Sequence, residues 1–272
     1  MPGIDTTTVF EVENLSYRYR EVRALDALSL TIARGAQVAL LGANGSGKST
    51  LLRILDGLYF PSGGSVSFCG RPLTAEGLQD EEFAFQFRQR VGLVFQNPDV
   101  QLFCPTVFDE LAFGPLQLRW PRERIRERVR EMLETLEIAH LKDRSPHHLS
   151  GGEKKRVALA SVLILDPEVL LLDEPTAALD PKSQSRLIDL LIDWRKDRKT
   201  IVTATHDLHI VEEIADQAFI FQNGRLVTEG PPDRLLRDES LLKATGLIHA
   251  HRHTHAPGEV HSHSHSHHHH EH

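Results

Sequence analysis

The densest chemistry in the chain lies in nine consecutive residues, Gly42-Ala43-Asn44-Gly45-Ser46-Gly47-Lys48-Ser49-Thr50. They fit the phosphate-binding pattern of Gly, four residues, Gly, Lys and then Ser or Thr. Glycines let a backbone come close to an anion, because no Cβ blocks the approach and positive φ is open to them. Successive N–H groups, followed by a helix N-terminus, then attract negative charge. In such a loop Lys48 reaches the β- and γ-phosphates of a nucleotide, and the Ser49 hydroxyl ligates Mg²⁺. Gly42, Asn44, Gly45, Ser46, Gly47 and Thr50 complete the cradle. A second cluster, Val169-Leu170-Leu171-Leu172-Asp173-Glu174, is an apolar run ending in two carboxylates. Beside a phosphate loop, Asp173 is placed to hold the Mg²⁺ and Glu174 to polarise an attacking water as general base.

The elements that must position these groups are visible in the patterning. Val38–Leu41 reads as a buried strand entering the loop, and Leu51, Leu52, Ile54 and Leu55 give helical spacing after it. Phe10–Ile32 alternates apolar and polar positions, as half-buried antiparallel strands do, with Tyr19 near the tip between them. Strands are expected at Ser65–Cys69, Val91–Phe95, Val169–Leu172 and Thr200–Ala204, with a closing hairpin over Phe219–Val227. Helices are expected at about 122–138, 151–165, 182–196 and 208–215, and one last helix at Pro231–Leu242. Asn97–Pro115, with Pro98, Pro105 and Pro115, reads as loop-rich. Helices alternating with buried strands predict a doubly wound parallel sheet of α/β class. The helical stretch between two of those strands, about 97–165, is then a side subdomain.

Composition sets the outer bounds. The chain has 272 residues, 40% hydrophobic, with a formal net charge of −7, enough for one substantial core. Mixed charge of that sign gives a nucleic-acid partner no support, and the Arg and Glu residues of Arg122–Arg130 read as an exposed face of intermixed salt pairs. The two cysteines, Cys69 and Cys104, are not spaced as a ligand pair and suit a reducing compartment. Met1–Phe10 shows no signal-peptide pattern, and the longest apolar stretch, near Val162–Leu172, is broken by Asp166, Pro167 and Glu168.

Leu149-Ser150-Gly151-Gly152-Glu153 has two compatible readings. As plain structure it is a capping box, Ser-x-x-Glu opening a helix. It also matches, residue for residue, the signature motif of ATP-binding-cassette proteins, some 20 residues before the strand that ends in Asp173. Gln96 is similar to that family's Q-loop glutamine, Ala178-Leu179-Asp180 to its D-loop, His206 to its switch histidine, and Tyr19 to the aromatic that stacks on adenine. The motifs run in family order over residues 9–245, so the chain resembles an ABC ATPase domain over about residues 1–247. The resemblance implies a P-loop NTPase (RecA-like) core with a parallel sheet, an antiparallel β subdomain and a helical signature-motif subdomain. It implies a head-to-tail dimer, from two identical chains or with a sister ATPase. Each ATP would lie between the P-loop of one subunit and Ser150, Gly151 and Gly152 of the other, with Asp180 at the same interface. Gln96 would join Ser49 and Asp173 at the Mg²⁺, and His206 would hold the γ-phosphate and the attacking water.

The run Val91–Asp99, continuing through Gln101-Leu102-Phe103, Pro105-Thr106-Val107 and Ala112-Phe113-Gly114-Pro115, looks like the ATPase subunits of energy-coupling-factor importers of vitamins and transition-metal ions. In those proteins this region, about 96–115 here, meets integral membrane subunits, which implies a peripheral place on the cytoplasmic face of the membrane. Beyond residue 247 the composition changes. His249, His251, His253 and His255 alternate with other residues, and His261, His263 and His265 open a His-Ser run to the last residue. Neutral imidazoles at this density suit Ni²⁺, Co²⁺, Zn²⁺ or Cu²⁺. A purification tag is the plain alternative, but the alternation and the separate first set favour a metal-collecting segment. With little apolar content, residues 248–272 are expected to be disordered. Together these features point to the ATPase of a nickel or cobalt importer. A vitamin importer or another ABC transporter is the nearest alternative, and a soluble non-transport cassette the alternative of another class.

Overall fold

The computed structural model describes residues 7–177, 179–255 and 259–265. Two sheets share one apolar interior. The first is antiparallel, built from β1 (Thr8–Tyr19), β2 (Val22–Ala33), β4 (Gly63–Phe68) and β5 (Arg71–Pro72), in the order β2-β1-β4-β5. The second is mostly parallel and runs β10-β9-β3-β8-β7-β6. Its members are β3 (Gln37–Leu41), β6 (Val91–Val94), β7 (Val169–Asp173), β8 (Thr200–Thr205), β9 (Gln217–Gln222) and β10 (Arg225–Gly230), of which β10 alone is antiparallel to its neighbour. Every residue of β3, β7 and β8 is buried. That explains why these strands read as continuous apolar runs and not as alternation.

One face of the parallel sheet packs on the antiparallel sheet and on α1 (Lys48–Leu55), through Leu40, Leu51, Phe68, Phe87 and Phe219. The other face is covered by α6 (Pro181–Lys196) and α7 (Leu208–Ile214), through Leu187, Leu191, Val211 and Ile220. Between β6 and β7 the chain leaves the sheet and forms α3 (Val107–Gln117), α4 (Arg122–Thr135) and α5 (Gly151–Leu163). These helices bury a core of their own around Val107, Leu111, Val129, Leu133 and Val157. Ile125, Val129 and Leu133 repeat every four residues, which is the stripe expected of a helix packed on one side.

The structure differs from the sequence expectation in four places. Helix α2 (Glu81–Arg90) has no clear apolar stripe, and it forms on the Asp80 cap with Phe83 and Phe87 turned inward. The stretch expected to be loop through Pro115 is helical from Val107. Thr106 caps it, and Pro115 lies in the last turn, where only one ladder bond is forfeited. The expected last helix is two short ones, α8 (Pro232–Leu235) and α9 (Glu239–Ala244), because Asp238 starts a new cap at Leu241 N–H. The fourth concerns the tail expected to be disordered. Its backbone pairs antiparallel as β11 (His249–His255) and β12 (Glu259–His265). The Pro257-Gly258 dipeptide in the intervening sequence is a turn signal, and period-2 alternation is compatible with a hairpin even with few apolar residues. The rest of the His-Ser run, 266–272, lies outside the described residues.

Candidate nucleotide site

The strand order brings the chemistry to one edge. Leu41 pairs with Thr205, Asp173 with Ala204, and Val94 with Leu172, all in parallel register. The carboxyl ends of β3, β8, β7 and β6 therefore line up, and the loops leaving them carry the candidate residues side by side. That edge is where open α/β sheets bind ligands.

The phosphate loop links β3 to α1. At Gly47 φ is +107°, and a Cβ there would stand 2.7 Å from Ala24 O and from Leu25 Cδ2. No side chain fits. Lys48 opens α1, buried, and its Nζ donates to Gly42 O at 2.6 Å and Ala43 O at 3.2 Å. Burial holds its pKa below the ordinary lysine value, against the pull of Glu174 and Asp173. The Ser46 hydroxyl is buried within the same loop with no hydrogen-bond partner. A buried orphan hydroxyl beside a buried ammonium is a misfit in a plain turn and a fit for a phosphate oxygen.

Next to it, Ser49 Oγ donates to Asp173 Oδ1 at 2.9 Å. Asp173 is 3% exposed, and burial raises its pKa while the Ser49 hydrogen bond opposes the rise. An alcohol and a carboxylate in contact, with a second carboxylate following, form a hard oxygen donor set of the kind Mg²⁺ accepts. The cation would relieve the cost of the buried charge. Gln96 follows β6 and is exposed, and its main-chain oxygen is held at 3.1 Å by Lys155 Nζ.

Glu174 is 5% exposed and has φ of +46°, a left-handed backbone that a non-glycine residue adopts only under constraint. The constraint is visible. Its N–H donates to Ala204 O at 2.9 Å, Thr205 Oγ1 donates to Oε2 at 3.2 Å, and Oε1 lies 2.8 Å from His206 Nδ1. The Glu174 hydrogen bond raises the His206 pKa, with desolvation opposing it. A carboxylate and an imidazole are thus held together about one strand away from the Lys48 ammonium.

Tyr19 lies at the end of β1, about one-third exposed, its hydroxyl 3.2 Å from Thr50 Oγ1 and accepting from Arg53 Nη1 at 3.4 Å. Tyr17 and Tyr59 stack in parallel, ring centroids 5.3 Å apart, with the Tyr19 ring edge-on to both. This fixes the Tyr19 ring on the rim of the loop. Ser150 forms the capping box in full: Glu153 N–H donates to its Oγ at 3.4 Å, and its own N–H donates to Glu153 Oε2 at 2.8 Å. Gly151 is exposed beside it. Asp180 caps α6, accepting from Ser183 N–H at 3.1 Å. Ala178 lies outside the described residues.

Thus Gly42–Thr50, Asp173, Glu174 and His206 meet at one edge, with Tyr19 on the rim, whereas Ser150, Gly151, Gly152 and Asp180 start helices of their own. Three residues to which the sequence reading gave no individual role support the edge. Lys155 binds the carbonyls at the ends of β6 and β7. Gln101 accepts from Phe95 N–H and donates to Ala158 O in α5. Glu110, buried, accepts from Phe103 and Cys104 N–H at 2.9 and 2.7 Å and closes the loop before α3.

Comparison with known proteins decides the family. The ABC transporter family model matches residues 25–177, more than half of the chain. The chain belongs to the ABC transporter family. It is 54% identical over 245 residues to the nickel import ATP-binding protein NikO of Rhodobacter capsulatus, covering 89% of this chain and 96% of that one. It is 41% identical over 240 residues to the energy-coupling factor transporter ATP-binding protein EcfA of Methanothermobacter thermautotrophicus, covering 88% and 76%. Among solved structures, cbiO1 of Clostridium perfringens, part of the ABC transporter complex cbiONQ, superposes with a TM-score of 0.72 at 38% identity, covering 89% and 95%. The cassette MJ0796, solved as a dimer bound to ADP and Pi, superposes with a TM-score of 0.74 at 29% identity, covering 82% and 98%. This chain is accordingly an ABC ATPase subunit that uses ATP with Mg²⁺, and its homologues act as dimers with membrane transporter components. Among the described residues no helix is long and apolar enough to cross a membrane.

Proposed function

We propose that this ATPase drives nickel or cobalt import through integral membrane subunits, from the cytoplasmic face of the membrane. The observation that carries the cargo is the 54% identity to a nickel import ATP-binding protein over nearly its full length, joined to the histidine-rich tail. The tail register pairs His249 with His265, His251 with His263 and His253 with His261. Such a segment suits the collection of Ni²⁺ or Co²⁺ near the transporter. The docking surface is the region 96–115, where Val100, Phe103 and Phe113 are exposed, with Leu116 exposed beside them. An apolar cluster of this kind on a soluble subunit favours a protein partner.

In the proposed reaction two identical chains close head to tail over two ATP molecules. Tyr19 stacks on the adenine, and the loop Gly42–Thr50 wraps the phosphates. Lys48 exchanges its contacts with Gly42 O and Ala43 O for β- and γ-phosphate oxygens. Ser150, Gly151 and Gly152 of the facing chain cover the γ-phosphate, with Asp180 ordering that interface. Ser49, Gln96 and Asp173 would hold the Mg²⁺, which supplies neutralisation of charge on the phosphate oxygens. Glu174 accepts a proton from water as its oxygen bonds to the γ-phosphorus and the bond to the β–γ bridging oxygen breaks. His206, in contact with Glu174 Oε1, keeps that carboxylate aimed and turns to the γ-phosphate. The γ-phosphate is the contact that differs between closed and open dimers, so its loss releases the pair.

The test is ATP hydrolysis by the chain assembled with its membrane subunits in lipid vesicles. Stimulation by Ni²⁺ or Co²⁺ is expected. Stimulation by a vitamin and by neither metal would overturn the cargo.

A further inference from the structure

One buried cation is not used by the nucleotide chemistry described above. Lys155, in the second turn of α5, is 4% exposed. Its Nζ donates to Phe95 O at 3.0 Å and Gln96 O at 3.1 Å, and reaches Asp173 O at 3.5 Å. All three N–H bonds of the ammonium therefore face main-chain carbonyls. Those carbonyls sit at the ends of two adjacent parallel strands, β6 and β7. Gln101 ties the same strand end to α5 from the other side, through Phe95 N–H and Ala158 O.

We propose that Lys155 is a positioning residue of the Mg²⁺ site. It fixes the spacing between the backbones of Gln96 and Asp173 and carries the orientation of the helical subdomain into that spacing. The three bonded elements do not belong to one layer: β6 and β7 are in the sheet, and α5 bridges the sheet and the helical subdomain, with residues in the cores of both. Lys155 also borders a cavity of about 250 Å³ between α5 and α6, lined by Leu136, Leu159 and Leu187 among others. Leu159 and Leu163 of α5 share a buried core with Val94, Leu170 and Leu172 of the sheet, and the Lys155 hydrogen bonds extend that contact to the strand ends. Burying an ammonium is costly even with the Asp173 and Glu174 carboxylates nearby to offset part of it, and an apolar residue would hold a purely structural joint at less expense. The arrangement suits a joint that must keep two metal-bearing strand ends in register while the subdomain turns.

The test uses the full chain with Lys155→Met, which keeps the stem and removes the donors, and Lys155→Gln, which keeps a shorter neutral donor. Binding of a fluorescent ATP analogue is measured in chelator and across a Mg²⁺ titration, beside thermal unfolding. Lys155→Met should bind the nucleotide like wild type without metal, and need about tenfold more Mg²⁺ for the metal-dependent gain, as supporting-shell changes do. Lys155→Gln should lie between, and combining Lys155→Met with Gln96→Ala should give less than the product of the two effects. A lowered unfolding temperature with a wild-type Mg²⁺ response would overturn the proposal. If Lys155→Met does not fold, a wild-type Mg²⁺ response in Lys155→Gln overturns it equally. Because cargo plays no part in these readouts, the result is independent of whether nickel or cobalt is carried.

Discussion

At the scale of single residues, the pair Glu174 and His206 explains an otherwise costly backbone. A carboxylate at positive φ, 5% exposed, persists because Thr205 and His206 hold its two oxygens. Glu174→Gln should keep nucleotide binding and lower turnover by about 10² to 10⁴, measured as phosphate release. In the same variant the His206 pKa should fall toward its ordinary value, read by NMR titration, since the Glu174 hydrogen bond is the main cause of its rise. The sign for stability follows. The His206 pair contributes fully below the ordinary histidine pKa, and that contribution is lost as pH rises through the raised value. Asp56 gives the same sign of pH dependence for a different reason. It caps the C-terminus of α1, where burial pushes its carboxyl up to about 8 despite Arg88, and the helix end disfavours a negative charge. Asp56 therefore holds a proton in the fold that the unfolded chain releases near pH 4, and stability falls as pH rises from there to about 8. Asp56→Asn should raise the unfolding temperature by several degrees at pH 8, an advantage that disappears below pH 4.

Glu174, Asp173, Lys48 and His206 were legible because each sits at a fixed offset from an apolar run or a glycine pattern. Lys155, Gln101 and Glu110 were not. Their partners are mostly main-chain groups, which carry no side-chain identity, and those of Lys155 lie 18 to 60 positions away along the chain.

At the scale of elements, strands buried on both faces announced themselves, and elements held by tertiary contact did not. Helix α2 rests on Phe83, Phe87 and an Asp80 cap, too little periodicity to stand out alone. Helix α3 was hidden by Pro115, whose last-turn position removes the usual penalty. The loop before it depends on Glu110, the common acceptor for Phe103 and Cys104 N–H. Glu110→Ala leaves two donors unpaired, at a cost of about 1–3 kcal/mol each. It should speed protease cleavage within 97–106 and lower the unfolding temperature, while nucleotide binding stays at the wild-type level. Unchanged cleavage would remove Glu110 from the account of that loop.

At the scale of the whole molecule, the sheet order gathers the candidate nucleotide edge, and the segment from Val100 through α3 exposes Val100, Phe103, Phe113 and Leu116. The signature residues Ser150–Gly152 and the capping Asp180 start helices that a second chain completes in the proposed dimer. The tail stands outside both tasks. Removing residues 249–272 should leave ATP hydrolysis unchanged while lowering metal uptake at trace concentration. A collapse of hydrolysis would make the tail part of the engine. The most direct measurement is accumulation of radiolabelled nickel and cobalt at trace metal in source cells whose only copy is wild type or Glu174→Gln. The account predicts loss of accumulation of one or both metals in the variant. Equal accumulation of both metals in the two strains would contradict metal import as the work of this ATPase.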